Sequence, residues 1–353
     1  MEDNAMKRYL TAILCSTLLF MGMISVEADA QAAGDAEAHV AAAKAIAASV
    51  PENAKYDLDY RYMFDSLCTQ PKPTTAAQDA AALNQPANLQ TRPSAEWYVE
   101  PARVFDNLYY LGTKTDSIWA VTTSAGIILI DADYHWNVEE LVVGGMKKVG
   151  LDPANIKYLI ITHAHVDHYG GAKYIQDHFH PRLLMSEADW NVVAKDNTPA
   201  EMKPKKDMVA MDGQKLTLGD TTLTLYITPG HTPGTTSLII PLKDGNDRHV
   251  GAIYGGVMLS IARAGVPYFP DWPTAIKTHL GSLRRLKEIE AKAGVDTVLT
   301  IHSMTDKSMD KLAAVRVRKP GEPHPYVSKA LNQRFTTVLD ECMSAQLAWR
   351  TKS

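Results

Sequence analysis

Ile156-Lys157-Tyr158-Leu159-Ile160-Ile161-Thr162-His163-Ala164-His165-Val166-Asp167-His168 sets both the fold and the chemistry of this chain. Residues 156–161 are a short, mostly apolar run with the composition of a buried strand, and Thr162 closes it. Four side chains able to bind metal then fall between positions 163 and 168. In an extended segment His163 and His165 point the same way, because side chains alternate with period two. Asp167 and His168 come where the chain turns toward a helix, so they can face a second ion beside the first. Tyr169-Gly170-Gly171 leads into that helix, read over 172–179. A strand ending in a ligand-rich loop is where α/β proteins place their chemistry.

Two further histidines complete the set. His231 lies in Thr228-Pro229-Gly230-His231-Thr232-Pro233-Gly234-Thr235, a loop leaving the strand read over 222–227. His302 follows the apolar strand 297–301. Each histidine sits at a strand end, so all the ligands can converge on one edge of a sandwich. Zinc takes imidazole nitrogen and carboxylate oxygen at about 2.0–2.2 Å, and its catalytic sites keep a position open.

These pieces, with Gly126-Ile127-Ile128-Leu129-Ile130-Asp131 before them, resemble the metallo-β-lactamase superfamily, and specifically its subclass B3. The resemblance runs over roughly residues 96 to 345, and its motifs come in the family's order. It implies an α/β fold, the αββα sandwich of that superfamily; periodicity alone gives only mixed α/β. It implies two zinc ions per chain. His163, His165 and His231 would hold the first, and Asp167, His168 and His302 the second, with Asp131 orienting ligands rather than coordinating. The activity implied is hydrolysis of the β-lactam amide by a metal-bound hydroxide, and with it a part in antibiotic resistance. Asp167 would both ligate metal and hydrogen-bond the nucleophile.

One departure narrows this reading. Many superfamily hydrolases bridge their metals with an aspartate after the strand that corresponds to 251–254. Here the chain continues Gly255-Gly256-Val257-Met258. That suits a B3-like site and disfavours a glyoxalase or phosphodiesterase. Serines that hold the substrate carboxylate in B3 enzymes are also missing, since Val257, Met258 and Leu259 cannot serve. Ser260 is the remaining candidate for substrate binding. A lactone, or another ester or amide, on the same dinuclear site is therefore the alternative substrate. A zinc-storing or partner-binding protein without turnover is a third reading, disfavoured by the intact ligand set.

The 353 residues, 46% of them hydrophobic, allow one large domain or a domain plus extension. A net charge of −4 gives no electrostatic case for nucleic acid, and the resemblance implies a small-molecule substrate as the partner. Lys7 and Arg8 precede a mostly apolar run from Tyr9 to Val26, and Ala28-Asp29-Ala30 follows. This reads as a secretory signal peptide over 1–30, with an uncleaved anchor as the competing reading. The expected location is periplasmic or secreted, without stable membrane association after cleavage; the oligomeric state is left open. Cleavage removes Cys15 and leaves Cys68 and Cys342, an even pair whose number alone suggests a disulfide.

Residues 31–95 read as an N-terminal helical extension and linker: Ala-rich to residue 50, then rich in Pro, Ala, Gln and Thr over 70–95. The metallo-β-lactamase-like domain is read over 96–353. Its expected strands include 104–111 and 118–121, and its expected helices 138–148, 273–291, 306–317 and 326–347. His39, His135, His178, His180, His249, His279 and His324 read as structural or surface histidines.

Overall fold

The computed structural model of the chain describes residues 35–48, 60–71 and 86–351. The expected signal peptide and residues 72–85 of the expected linker lie outside them.

Two sheets face each other. The first holds β1 (Ala102–Phe105), β2 (Leu108–Tyr110), β3 (Trp119–Thr123), β4 (Gly126–Ile130), β5 (Ile156–Ile160), β6 (Arg182–Ser186) and β7 (Met208–Ala210), side by side in that order. Antiparallel pairing runs from β1 to β4 and parallel pairing from β4 to β7. The second sheet contains β8 (Gln214–Leu218), β9 (Thr221–Ile227), β10 (Thr236–Asp244) and β11 (Asp247–Tyr254). After it come a small hairpin, β12 (Ala262–Arg263) and β13 (Val266–Pro267), and then β14 (Thr297–Thr300), which returns parallel to β11.

Period-two alternation builds the layers. In β4, Ile128 and Ile130 face the second sheet, where they meet Leu223, Leu225, Leu238, Ile253 and Leu299. Ile127 and Leu129 face outward under residues 138–146 and the Ala172–Phe179 helix. β11 divides the same way, Ile253 inward and Ala252 and Tyr254 outward. Each buried aliphatic side chain contributes about 1.5–3 kcal/mol, so a one-residue slip in either strand would cost several. The helices Trp272–Ala293 and Lys329–Arg350 cover the second sheet's outer face. The result is the αββα sandwich.

The helix over 35–48 and Arg61–Leu67 pack in that last outer layer. Cys68 and Cys342 are disulfide-bonded with their Cα atoms 4.6 Å apart, tying this N-terminal segment to the C-terminal helix. One expected strand divides. Residues 104–111 form β1 and β2 with a turn at Asp106-Asn107. Asn107 fixes the turn: its Nδ2 donates to Pro241 O and its Oδ1 accepts from Lys243 N, both at 2.9 Å. No helix among the described residues is long and apolar enough to cross a membrane.

Candidate metal centre

Six candidate ligands, read from three separate stretches of sequence, meet at one edge of the sandwich. His163 and His165 follow β5, and Asp167 and His168 lie in the single helical turn Val166–Tyr169. His231 comes from the loop joining β9 to β10, and His302 follows β14. They form two groups, His163 with His165 and His231, and Asp167 with His168 and His302. In each group the candidate ligand atoms lie within 4.8 Å of one another.

The imidazole nitrogens face each other. His163 Nε2 stands 3.0 Å from His165 Nδ1 and 3.1 Å from His231 Nε2. His168 Nε2 stands 3.3 Å from His302 Nε2 and 3.6 Å from Asp167 Oδ2. Hydrogen bonds behind the rings set which nitrogen faces inward. His231 Nδ1 pairs with Met258 O at 2.7 Å, His168 Nδ1 with Asp131 Oδ2 at 2.8 Å, and His302 Nδ1 with Asp116 Oδ1 at 2.9 Å. A neutral ring that donates through Nδ1 turns an Nε2 lone pair inward.

Burial pushes His163 and His165 well below the usual imidazole range, and the neighbouring imidazoles add to it. Burial likewise brings His231 down to about 3. For His302 burial works in the same sense but the Asp116 carboxylate outweighs it, and the net direction is up. Burial would also raise Asp167, yet His168, Arg263 and His302 together hold it below the ordinary carboxylate range.

This donor set fits zinc. Three inward nitrogens of the first group oppose one another, and one proton cannot satisfy all three, whereas a cation can. Asp167 Oδ1 is buried without a hydrogen-bond partner, as expected of an oxygen meant for an ion. Five imidazoles and one carboxylate are borderline-soft ligands of the kind zinc takes.

Asp131 lies wholly buried behind the ligands, its two oxygens accepting from Thr162 N at 2.7 Å and Thr162 Oγ1 at 2.8 Å. It and Asp133 have positive φ, 62° and 55°, in a turn against which Gly171 packs. A Cβ on Gly171 would meet Ala132 O at 2.2 Å. Gly256, in the stretch that lacks a bridging aspartate, lies against His231, whose ring would be 2.5 Å from an added Cβ.

Ser260 is half-buried and its Oγ reaches Ala262 O at 3.5 Å, within its own loop. The residue of this loop that meets the donor set is Arg263. Its Nη1 lies 3.4 Å from His165 Nδ1 and its Nη2 3.6 Å from Asp167 Oδ1, while 41% of the side chain stays exposed. A tight turn with positive φ at Ala264 and Gly265 presents it, and Tyr268 beyond the turn stacks on His165 at 5.8 Å. The sequence reading missed Arg263, Asp116 and the buried Asp189, whose Oδ2 accepts from Ala164 N and Thr232 Oγ1 in the histidine loops. Ala264-Gly265 between two short runs is a hairpin signal, and Ser186-Glu187-Ala188-Asp189 is a helix-start signal. Neither says what the side chain faces.

Comparison with known proteins agrees with this geometry. The sequence profile described as the metallo-β-lactamase superfamily matches residues 113–251. An N-acyl homoserine lactonase, AttM, of Agrobacterium fabrum is 32% identical over 124 residues, which is 32% of this chain and 47% of the relative. The chain thus spans about half the length of the curated relatives it matches first. Among solved structures, BJP-1, a subclass B3 metallo-β-lactamase of Bradyrhizobium japonicum, is 28% identical with a TM-score of 0.62. That likeness covers 72% of this chain and 95% of BJP-1. A Cronobacter sakazakii metallo-β-lactamase with a HARLDQ motif is 29% identical with a TM-score of 0.60, covering 72% of this chain and 96% of its own.

Proposed function

We propose that this chain, whose fold and sequence place it in the metallo-β-lactamase superfamily with a B3-like arrangement, is a zinc-dependent hydrolase that opens the amide bond of β-lactams. The observation that carries the reading is the pairing of an all-histidine group with an Asp-His-His group at one sheet edge. Zinc bound there supplies a Lewis acid and lowers the pKa of water to about 7.

The chain's own residues do the rest. Met258 O, Asp131 and Asp116 hold three imidazoles with Nε2 inward, so the donor set needs no rearrangement. Asp167, held ionised beside the Arg263 guanidinium, accepts a hydrogen from the attacking water through the oxygen it does not give to the ion. As the water oxygen bonds to the carbonyl carbon, the C–N bond breaks. The carbonyl side becomes a carboxylic acid, and the released nitrogen takes the proton. No covalent enzyme intermediate is required. Arg263, half-exposed beside Asp167, offers guanidinium donors to an anionic substrate.

The likeness to AttM favours a second reading, in which the same centre opens a lactone. Secretion to the periplasm or beyond belongs to the proposal too, supported by the apolar run after Lys7-Arg8 and by the disulfide.

The test is hydrolysis of a chromogenic cephalosporin and of an N-acyl homoserine lactone by zinc-loaded protein, with and without a chelator. Chelator-sensitive turnover of the cephalosporin supports the first reading. Turnover of the lactone alone moves the assignment to the second, and turnover of neither by protein holding two zinc ions removes both.

A further inference from the structure

The histidine loops are joined by a carboxylate outside the donor set. Asp189, in the first turn of the helix Glu187–Lys195, is 0% exposed. Its Oδ2 accepts from Ala164 N at 2.9 Å and from Thr232 Oγ1 at 2.7 Å, and its Oδ1 accepts from Gly234 N at 2.8 Å. Ala164 stands between His163 and His165, and Thr232 follows His231. One side chain therefore grips both loops that carry the first donor group.

No cation among the described residues lies within ion-pair distance of this carboxylate, so its burial is offset only by neutral donors and the helix start. An apolar side chain there would leave Ala164 N and Gly234 N without an acceptor, so the joint between the two loops depends on the carboxylate oxygens. The surroundings are shaped for it. A Cβ on Gly234 would fall 1.9 Å from Ser186 Oγ and 2.7 Å from Asp189 Oδ1, so only glycine lets the loop come this close. Thr235 Oγ1 accepts from Thr232 N at 2.9 Å, and Thr236 N donates to Thr162 O at 2.8 Å, which closes the same two segments from the other side.

We infer that Asp189 is a positioning residue that holds the loop of His163 and His165 in register with the loop of His231, so that the first donor group is formed before an ion arrives. The inference rests on the reading of the cluster as a metal centre. Preformation matters because an ion that must also order two loops binds more weakly by the cost of ordering them.

The test uses Asp189→Asn, which keeps the size and removes the charge, and Thr232→Val, which removes one donor. Zinc affinity is read by competition with a chromophoric chelator, and the stability of metal-free protein by thermal unfolding. Asp189→Asn is expected to weaken zinc at the first donor group by about 10–100-fold and Thr232→Val by several-fold, in protein that keeps its circular dichroism. Turnover lost at stoichiometric zinc should return with excess zinc. Affinity within about twofold of the parent in both variants would overturn the inference, whatever happens to the unfolding temperature. If Asp189→Asn does not fold, Thr232→Val decides alone. A parent protein that takes up no zinc would remove the metal centre itself, a different outcome from zinc held equally by parent and variants.

Discussion

Asp131 Oδ2 lies 2.8 Å from His168 Nδ1, and both side chains are wholly buried. His302 has the same kind of partner in Asp116, at 2.9 Å. Both histidines of the Asp-His-His group are thus steered by carboxylates, whereas His231 of the other group is steered by a backbone carbonyl. Asp116→Asn should therefore weaken the second zinc selectively, by about 10–100-fold, whereas Asp131→Asn, which also loosens Thr162 beside His163, should weaken both. Metal analysis of the Asp116 variant after dialysis against a weak chelator should find close to one zinc per chain instead of two.

Arg263 stands beside the donor set with its side chain part-exposed, and a guanidinium suits a carboxylate. Arg263→Ala should lower kcat/KM for an anionic cephalosporin by about 10–100-fold. The methyl ester of the same compound should respond much less. Equal losses for acid and ester would instead assign Arg263 to holding Asp167.

Gly256 leaves no room for a side chain. Its Cβ would lie 2.5 Å from the His231 ring, so Gly256→Ala should displace that ring and cost about 1–3 kcal/mol. Weaker zinc binding together with a lower unfolding temperature is the expected result. The same substitution at Gly281, which has open space around its Cβ position, is the control and should stabilise the helix slightly.

Glu290 should make stability depend on pH. It is buried between the helices of the second sheet's outer layer, and burial raises it from 4.5 to about 7, while Tyr254 and Asn332 offset only part. A folded value above the unfolded one favours the native state at low pH. That contribution is complete below 4.5 and is lost as pH rises through about 7. The change is on the order of 3 kcal/mol. Glu290→Gln should flatten the slope of urea-unfolding free energy between pH 5 and 8 and stabilise the protein at its alkaline end. An unchanged slope would locate the dependence elsewhere.

The strands and loops that carry the candidate ligands are legible along the chain. The run from 156 to 168 is local: a buried strand shows as an unbroken apolar stretch, and the donors are spaced by the period of the backbone. His231 and His302 were legible because each follows a strand of the same kind. The disulfide was legible only as a count of two cysteines, since nothing near Cys68 or Cys342 says that 274 positions of chain close back to 4.6 Å.

Which side chains stand behind and before the ligands depends on packing between distant segments. Asp189 meets Ala164 from 25 residues away and Thr232 from 43, and Arg263 meets His165 from 98. Asp106-Asn107 became a turn because Asn107 finds Pro241 and Lys243 on the facing sheet. The candidate ligands are legible from donor spacing, from strand runs and from the family resemblance those motifs carry, all of which lie along the chain. Their supports follow from the closure of separate loops, where a carboxylate or guanidinium takes its role from the partners that packing brings to it.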